Sequence, residues 1–207
     1  MKTIRFVDTN GESDRQAWLA ARYGKITGSR LKDIITKRGT CKKIGFYELI
    51  AERLGLPADG ENAMERGSRL EPEAIEEFTK ATGKQVDTSL VLWTRDDNES
   101  IAISPDGFIG DTEAVECKCL SSARHIEALM TDKIPKDYDE QVRQYFFVNE
   151  KLETLHFVLY DPRIIFKPLI VFIVKREDLQ AEIDALIEEE KMILAEVDEA
   201  VLKLSNF

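Results

Sequence analysis

The stretch from Ser104 to Leu120, SPDGFIGDTEAVECKCL, decides the fold of this chain. A short polar loop, Gly110 to Thr112, separates two segments of strand-like composition, and this pattern predicts a β-hairpin. If the loop is centred on Asp111, positions 106 and 116 face each other across the two strands. The hairpin would then bring the carboxylates of an aspartate and a glutamate to one place.

The second strand of this hairpin presents an acid and a base on the same face. Side chains alternate between the faces of a strand, so Glu116 and Lys118 lie together. The residues predicted to point to the other face are Val115, Cys117 and Cys119. Two facing carboxylates repel each other unless a proton or a cation lies between them, and hard oxygen ligands suit Mg²⁺ or Mn²⁺. A neighbouring lysine can orient or deprotonate a metal-bound water or stabilise phosphate charge, although an ordinary surface hairpin has the same pattern.

Composition is that of a soluble globular protein. The chain has 207 residues, of which 43% are apolar and 33% charged, and it is predicted to form one domain over residues 1–207. No apolar run reaches the length of a membrane span, and the N-terminus MKTIRFVDTN lacks an apolar signal core. We therefore expect a cytoplasmic protein without a membrane partner, whose three cysteines are reduced.

Charge is unevenly distributed along the chain. The formal net charge of −10 is unfavourable for DNA binding. Residues 1–43, predicted to form basic N-terminal helices, nevertheless hold eleven Lys and Arg against four Asp and Glu. Residues 176–207, a predicted acidic helix, hold three against ten. The basic end indicates a binding surface for DNA, and a solvated helix face is the alternative.

The spacing of apolar residues predicts an α/β fold with a mixed central sheet flanked by helices. Helices are predicted at 12–23, 29–37, 44–54, 70–81, 122–131 and 137–149. Strands are predicted at 85–93, 100–104, 108–109, 114–120, 154–160 and 169–175. The last strand is apolar nearly throughout and is therefore predicted to be central.

The C-terminal helix has an apolar seam with four-three spacing. The seam residues are Leu179, Ile183, Leu186, Ile193, Val197, Ala200 and Leu204, with Glu190 as a polar interruption. The seam fits either a covering helix within the domain or a contact with another subunit. A structural protein built on this helix is the competing class of function.

Five motifs in order resemble the phage-lambda-type alkaline exonucleases, also called YqaJ-like viral recombinases. These enzymes belong to the restriction-endonuclease-like nucleases. The motifs are WLAARYGKITGS at 18–29, ERG to EP at 65–72, SPDG at 104–107, ECK at 116–118 and YDEQVRQ at 138–144. Each motif is weak by itself, whereas five in the family's order are specific.

The resemblance implies a restriction-endonuclease-like core and a Mg²⁺-dependent 5′→3′ exonuclease on double-stranded DNA ends. Such an enzyme releases 5′-mononucleotides and leaves a 3′ single strand for recombination. It further implies a ring-shaped homotrimer, a single-strand annealing protein as partner, and a phage or prophage gene in a bacterial host. The alternative is a structure- or sequence-specific endonuclease of the same fold. An iron–sulfur nuclease is disfavoured because three cysteines cannot supply four thiolates.

By the same resemblance, the hairpin holds the catalytic centre, with two Mg²⁺ ions per site and Mn²⁺ as the substitute. The implied metal ligands are Asp106, Glu116 and, through its backbone carbonyl, Cys117. The residues implied in activating the attacking water are Lys118, Gln141 and Glu71. Asp96 matches a further acid of the family, although Asp97 adjoins it and leaves the register open.

Glu71 has two interpretations. The segment from Ser68 to Glu71 fits a capping box with Pro72 in the first turn of a helix, which would make the role of Glu71 structural. The spacing of Glu71 with Ile75 and Phe78 instead places its carboxylate beside an apolar face, where it needs a partner. The resemblance supplies one in the shell of water around the metal.

The segment from Arg22 to Ser29 has the chemistry of a phosphate site. The free N–H groups at a helix start attract an anion, and Thr27, Ser29 and Arg22 can add donors. In the family the matching arginine and serine hold the terminal 5′-phosphate, and Arg124 lies where the family has an arginine near the phosphates of the cut strand. Ordinary helix capping by Thr27 or Ser29 is the alternative.

Two further residues are assigned to DNA contact. Met64 falls where the family has an apolar wedge that helps to split the end base pair. Trp18 either stacks on DNA or belongs to the core, and the sequence leaves both open.

Overall fold

The computed structural model describes residues 16, 17, 20, 44–56, 63–97, 101–185, 187, 188, 192 and 195. The predicted helix at 29–37 and most of the two terminal helices lie outside these residues. The helices discussed below are α1 (Ile44–Arg53), α2 (Ala63–Thr82), α3 (Ser122–Thr131) and α4 (Asp139–Val148). The strands are β1 (Trp93–Thr94), β2 (Ala102–Ile103), β3 (Gly107–Ile109), β4 (Glu113–Lys118), β5 (Thr154–Tyr160) and β6 (Leu169–Lys175).

Strands β3 to β6 form one mixed sheet in the spatial order β3-β4-β5-β6. β4 pairs antiparallel with β3 and parallel with β5, and β6 pairs antiparallel with β5. A parallel pair needs a crossover connection, and α3 and α4 lie in the chain between β4 and β5. β1 and β2 form a separate antiparallel pair. The mixed sheet with flanking helices confirms the predicted fold class.

Helices cover both faces of this sheet. On one face, α4 packs against β5. The large buried side chains in this contact are Tyr145 and Phe146 from α4 and Leu155, Phe157 and Leu159 from β5. On the other face, α2 packs against β4; the buried residues there include Leu70, Ala74, Phe78, Val115 and Cys117. A third cluster joins α1 to α3. Among the described residues, no helix is long and apolar enough to cross a membrane.

The hairpin has the predicted register. Gly107 pairs with Val115 and Ile109 with Glu113, so continuing the ladder by one residue puts Asp106 opposite Glu116. The loop between β3 and β4 is 110–112, and Gly110 has a φ of +58°, which a residue with a Cβ adopts at a cost. The prediction that this loop is centred on residue 111 is therefore confirmed.

Two predictions about strands are wrong. Residues 85–93 do not form a continuous strand: Asp87 makes an isolated bridge to Phe108, and β1 begins only at Trp93. β6 is at the edge of the described sheet rather than at its centre, and Ile173 is 62% exposed. The apolar run in β6 instead reflects helices on both faces, because Leu169 and Val171 pack toward α2 while Phe172 and Val174 pack toward α4.

The capping interpretation of Glu71 is also wrong. Helix α2 begins at Ala63, so residues 68–72 lie inside it and Pro72 is an interior helix residue. Proline cannot donate to the carbonyl four residues earlier, which leaves the Ser68 carbonyl without that bond. The helix nevertheless continues on the N-terminal side of Pro72, because the buried side chains of Arg66 and Leu70 pack its first turns against the rest of the protein.

Asp161 ties the end of β5 to the start of α3. Its buried carboxylate accepts hydrogen bonds from the Ser122 hydroxyl at 2.7 Å and from Arg163 Nε at 2.7 Å. Burial alone would raise the pKa of Asp161, but the hydrogen bonds and charge of Arg163, with the hydroxyl of Ser122, hold this pKa below its usual 3.8. The charged form of Asp161 therefore stabilises the fold.

We expect Asp161→Asn to lower the free energy of unfolding by about 1.5–3 kcal/mol at pH 7, since it removes charge-assisted hydrogen bonds. Because the folded pKa lies below the unfolded one, this stabilisation is present above about pH 4 and is lost as pH falls further. Urea unfolding at pH 7 and below pH 4 should show the difference from wild type shrinking. Asp111→Asn, at an exposed position in the hairpin loop, is the control; an equal loss in both variants would contradict the prediction.

Candidate active site

The Glu116 carboxylate is the centre of a buried polar cluster. Its side chain is 2% exposed and lies on the sheet face that α4 covers. Its Oε1 lies 2.5 Å from Lys118 Nζ and accepts a hydrogen bond from Gln141 Nε2 at 2.8 Å. Its Oε2 accepts a hydrogen bond from the Tyr145 hydroxyl. The predicted shared face of Glu116 and Lys118 is thus observed, and α4 brings Gln141 to the same carboxylate.

Asp106 is held at the end of the hairpin by a hydrogen bond from the neighbouring strand, β4. Its Oδ2 accepts a hydrogen bond of 2.7 Å from the backbone N–H of Cys117. Burial, and then the charges of Glu116 and Glu71, raises the pKa of Asp106 to about 7. The charges of Glu116 and Glu71 thus disfavour the ionised form of Asp106, and a bound cation relieves repulsion of this kind.

Lys118 supplies the positive charge of the cluster. Burial would lower the pKa of its ammonium, but the carboxylates of Glu116 and Asp106 outweigh burial and raise it. The Tyr138 ring lies 5.4 Å from Lys118 Nζ, and its electron-rich face favours a cation. Beside these groups, Lys118 is suited to orient water or stabilise phosphate charge as an ammonium rather than to accept a proton.

Glu71 and Asp106 open onto one cleft. This cleft of about 550 Å³ also has apolar walls from Ile75, Val86 and Leu90. Burial and the charge of Glu116 raise the pKa of Glu71, while Lys118 lowers it. The Glu71 carboxylate on α2 therefore interacts electrostatically with charges on β4. A ligand in the cleft can contact both Glu71 and Asp106.

The donor set fits a hard divalent cation. Among the described residues, no group of three or more His, Cys, Asp or Glu side chains could hold a metal by itself. Two carboxylates with a backbone carbonyl match Mg²⁺, which typically uses one or two protein carboxylates together with waters and substrate phosphates. Thiol ligation is disfavoured, because burial raises the pKa of Cys117, and of Cys119 to about 11.

Two other residues assigned from sequence, Arg124 and Asp96, have different surroundings. Arg124, on α3, pairs with Glu127 at 2.9 Å and with Asp137 at 3.3 Å, and its side chain is 39% exposed. Asp96 lines a groove formed with the C-terminal end of α4, whereas Gln141 lies near the other end of that helix. Neighbouring Asp97 pairs with Arg95 at 2.7 Å. The roles of Arg124 and Asp96 remain predictions.

The predicted DNA-end residues are outside the described structure. Trp18, Arg22, Thr27 and Ser29 are not among the described residues. Met64 lies in the first turn of α2, and only its backbone is described. Their assignments therefore rest on the sequence alone.

The structure gives contacts to two residues, Tyr145 and Arg66, that have no assigned role from sequence. Tyr145 follows Gln141 by one helical turn, so the i, i+4 spacing on one helix face could have indicated it. Its phenol has a raised pKa because of burial and the charge of Glu116, so the hydroxyl stays protonated and donates. Arg66 is buried and donates from Nε to the Cys119 carbonyl at 3.0 Å, which joins α2 to the end of β4.

Residues 17–151 match the YqaJ-like viral recombinase domain, a range that contains every residue assigned to the site from sequence. The chain belongs to this family. The resemblance drawn from the five motifs is thereby confirmed. A search of curated proteins gave no match.

Solved structures of one family relative are similar over most of the chain. The alkaline exonuclease LHK-Exo from Laribacter hongkongensis is 29% identical, with a TM-score of 0.55 over 91% of this chain and 99% of that chain. LHK-Exo in complex with dAMP is 31% identical, with a TM-score of 0.56 over the same shares of the chains, 91% and 99%. The likeness to an alkaline exonuclease over most of both chains, together with the family match, supports a DNA exonuclease as the enzyme class.

Lys118→Ala should lower the rate of DNA hydrolysis by roughly 10² or more, because it removes the charge that stabilises the transition state. Lys84→Ala is the matched control, since Lys84 also pairs with a glutamate of β4, Glu113, at 2.8 Å. Turnover by gel assay and folding by circular dichroism should be measured for both. Near wild-type turnover by folded Lys118→Ala protein would remove Lys118 from the catalytic centre.

Proposed function

We propose that this protein is a Mg²⁺-dependent 5′→3′ exonuclease that digests double-stranded DNA from its ends and leaves a 3′ single strand. The enzyme class, a DNA exonuclease, follows from membership of the YqaJ-like family and from likeness to an alkaline exonuclease over 91% of the chain. The observation that carries the proposal is the buried Glu116 carboxylate, paired with Lys118 and placed opposite Asp106.

The residues of the hairpin take complementary roles. Asp106, Glu116 and the carbonyl of Cys117 would hold two Mg²⁺ ions, with Mn²⁺ as a substitute. Bound Mg²⁺ supplies positive charge to the scissile phosphate and acidifies water. Lys118 would stabilise negative charge that develops on the phosphate, as its half-buried ammonium 2.5 Å from Glu116 allows.

Two residues from the flanking helices would act on water. Gln141 donates one amide hydrogen to Glu116, and its amide oxygen is suited to accept a hydrogen bond from the attacking water. Glu71 lines the cleft beside Asp106, and its raised pKa makes its carboxylate a better proton acceptor than an ordinary glutamate. Asp96 is proposed as a further acid of the site on the basis of the sequence alone.

The substrate end is proposed to meet the basic N-terminal segment. Arg22, Thr27 and Ser29 would hold the terminal 5′-phosphate, and Arg124 would contact phosphates of the cut strand. Trp18 and Met64 would contact the terminal bases. Support for this placement is the excess of Lys and Arg over residues 1–43 and the family match, which begins at residue 17.

The proposed biological setting is phage-type recombination by strand annealing. The family is one of viral recombinases, which supports a phage or prophage gene acting in the bacterial cytoplasm. A homotrimer ring around DNA and a single-strand annealing protein as partner complete the proposal.

Covalently closed circular DNA tests the requirement for an end. We expect the protein with Mg²⁺ to leave a closed circular plasmid intact and to degrade the same plasmid after linearisation. A fluorescent label at the 3′ end should be retained longer than one at the 5′ end if digestion runs 5′→3′. Nicking of the closed circle would favour the alternative, an endonuclease of the same fold.

Recognition of the terminal phosphate is tested by Arg22→Ala. Wild type should digest duplexes with a 5′-phosphate faster than duplexes with a 5′-hydroxyl. The variant should lose most of this preference, since a charge-assisted contact is worth about 1.5–3 kcal/mol, or roughly 10- to 100-fold. Hydrolysis itself should persist because the hairpin is unchanged. Lys25→Ala removes an equal charge from the same segment, and if it lost the preference equally, Arg22 would be only part of a basic surface.

A further inference from the structure

The hydroxyl of Tyr145 has a defined partner that no motif assigned to it. Its side chain is fully buried, and the hydroxyl donates to Glu116 Oε2. The other oxygen of this carboxylate, Oε1, already has two partners, Gln141 at 2.8 Å and Lys118 at 2.5 Å. Both carboxylate oxygens of Glu116 therefore have partners that fix the orientation of the group.

These contacts limit how Glu116 can receive a cation. A carboxylate oxygen has two acceptor directions, so Oε1 is filled by Gln141 and Lys118, whereas Oε2 keeps one direction after Tyr145 donates to it. The ring of Tyr145 cannot swing away, because Trp93 packs on it edge to face at 6.4 Å and the surrounding core is buried. Tyr145 therefore sets the direction in which the remaining lone pair of Oε2 points.

We propose that Tyr145 is a positioning residue for the metal site, which holds the Glu116 carboxylate so that Oε2 accepts the divalent cation. This inference rests on the proposed function, since it requires a cation at Glu116. Partners that orient a metal ligand typically change metal affinity about 10- to 100-fold when removed. A hydroxyl that served only to satisfy a buried carboxylate would change stability and leave metal affinity unaltered.

The test is the affinity of DNA-free protein for Mn²⁺, measured by isothermal titration calorimetry. Tyr145→Phe keeps the ring and removes only the hydroxyl, and it should weaken Mn²⁺ binding about 10- to 100-fold. Tyr160→Phe is the matched control, because the hydroxyl of the buried Tyr160 also donates to a carboxylate, that of Glu73, at 2.7 Å. Nuclease activity of Tyr145→Phe should recover as Mn²⁺ is raised, whereas Lys118→Ala should not recover.

The outcomes of these Mn²⁺ titrations distinguish failure of the proposed function from failure of the role proposed for Tyr145. Failure of wild type to bind Mn²⁺ would overturn the proposed function and with it this inference. Wild-type binding with unchanged affinity in Tyr145→Phe, or an equal loss in Tyr160→Phe, would overturn the role of Tyr145 alone. If Tyr145→Phe does not fold, it is combined with Glu116→Gln, which removes the buried charge that has lost its Tyr145 donor. The double variant should then bind Mn²⁺ as weakly as Glu116→Gln alone, and a further loss would overturn the role.

Discussion

Burial of the Glu116 carboxylate imposes a condition on the whole sheet. A carboxylate that is 2% exposed loses the solvation of water and needs several donors in return. Lys118 provides a charge from the same strand, while Gln141 and Tyr145 provide hydrogen bonds from α4. The amphipathic packing of α4 on the sheet and the pairing of this carboxylate therefore depend on each other, because moving the helix would leave a buried charge without its donors.

Alternate residues of β4 belong to the polar site on one face of the strand and to the apolar core on the other. Glu116 and Lys118 point to the α4 side, whereas Val115 and Cys117 pack among apolar residues of α2. The backbone between them also takes part, since the Cys117 N–H holds Asp106 at 2.7 Å. A thiol at this position is thus a small core side chain, and what serves the site is the backbone of Cys117. This explains why a cysteine inside the ECK motif carries no thiol chemistry.

Local pattern and turn chemistry sufficed to predict the hairpin register, α3, β5 and β6, because a period of two or 3.6 is visible within a few residues. The order of strands was not predictable in the same way. The apolar run of β6 reflects helices on both faces of the strand, so the prediction of a central strand with two strand neighbours is wrong. The contact of Tyr145 with Glu116 joins residues 29 positions apart and arises through packing, so the sequence could indicate Tyr145 only through its spacing with Gln141 on one helix face.

The candidate site also accounts for an acidic protein that acts on DNA. Glu71, Asp106 and Glu116 interact through their charges, and burial makes those interactions stronger than at the surface. Such a cluster attracts a cation and repels a phosphate. On the proposed function, divalent ions turn the sign of the potential at this one place, while the acidic remainder of the chain continues to repel DNA. Phosphate would then be tolerated at the cleft only together with metal, and on the proposed function hydrolysis would be confined to the strand that the basic residues 1–43 bind.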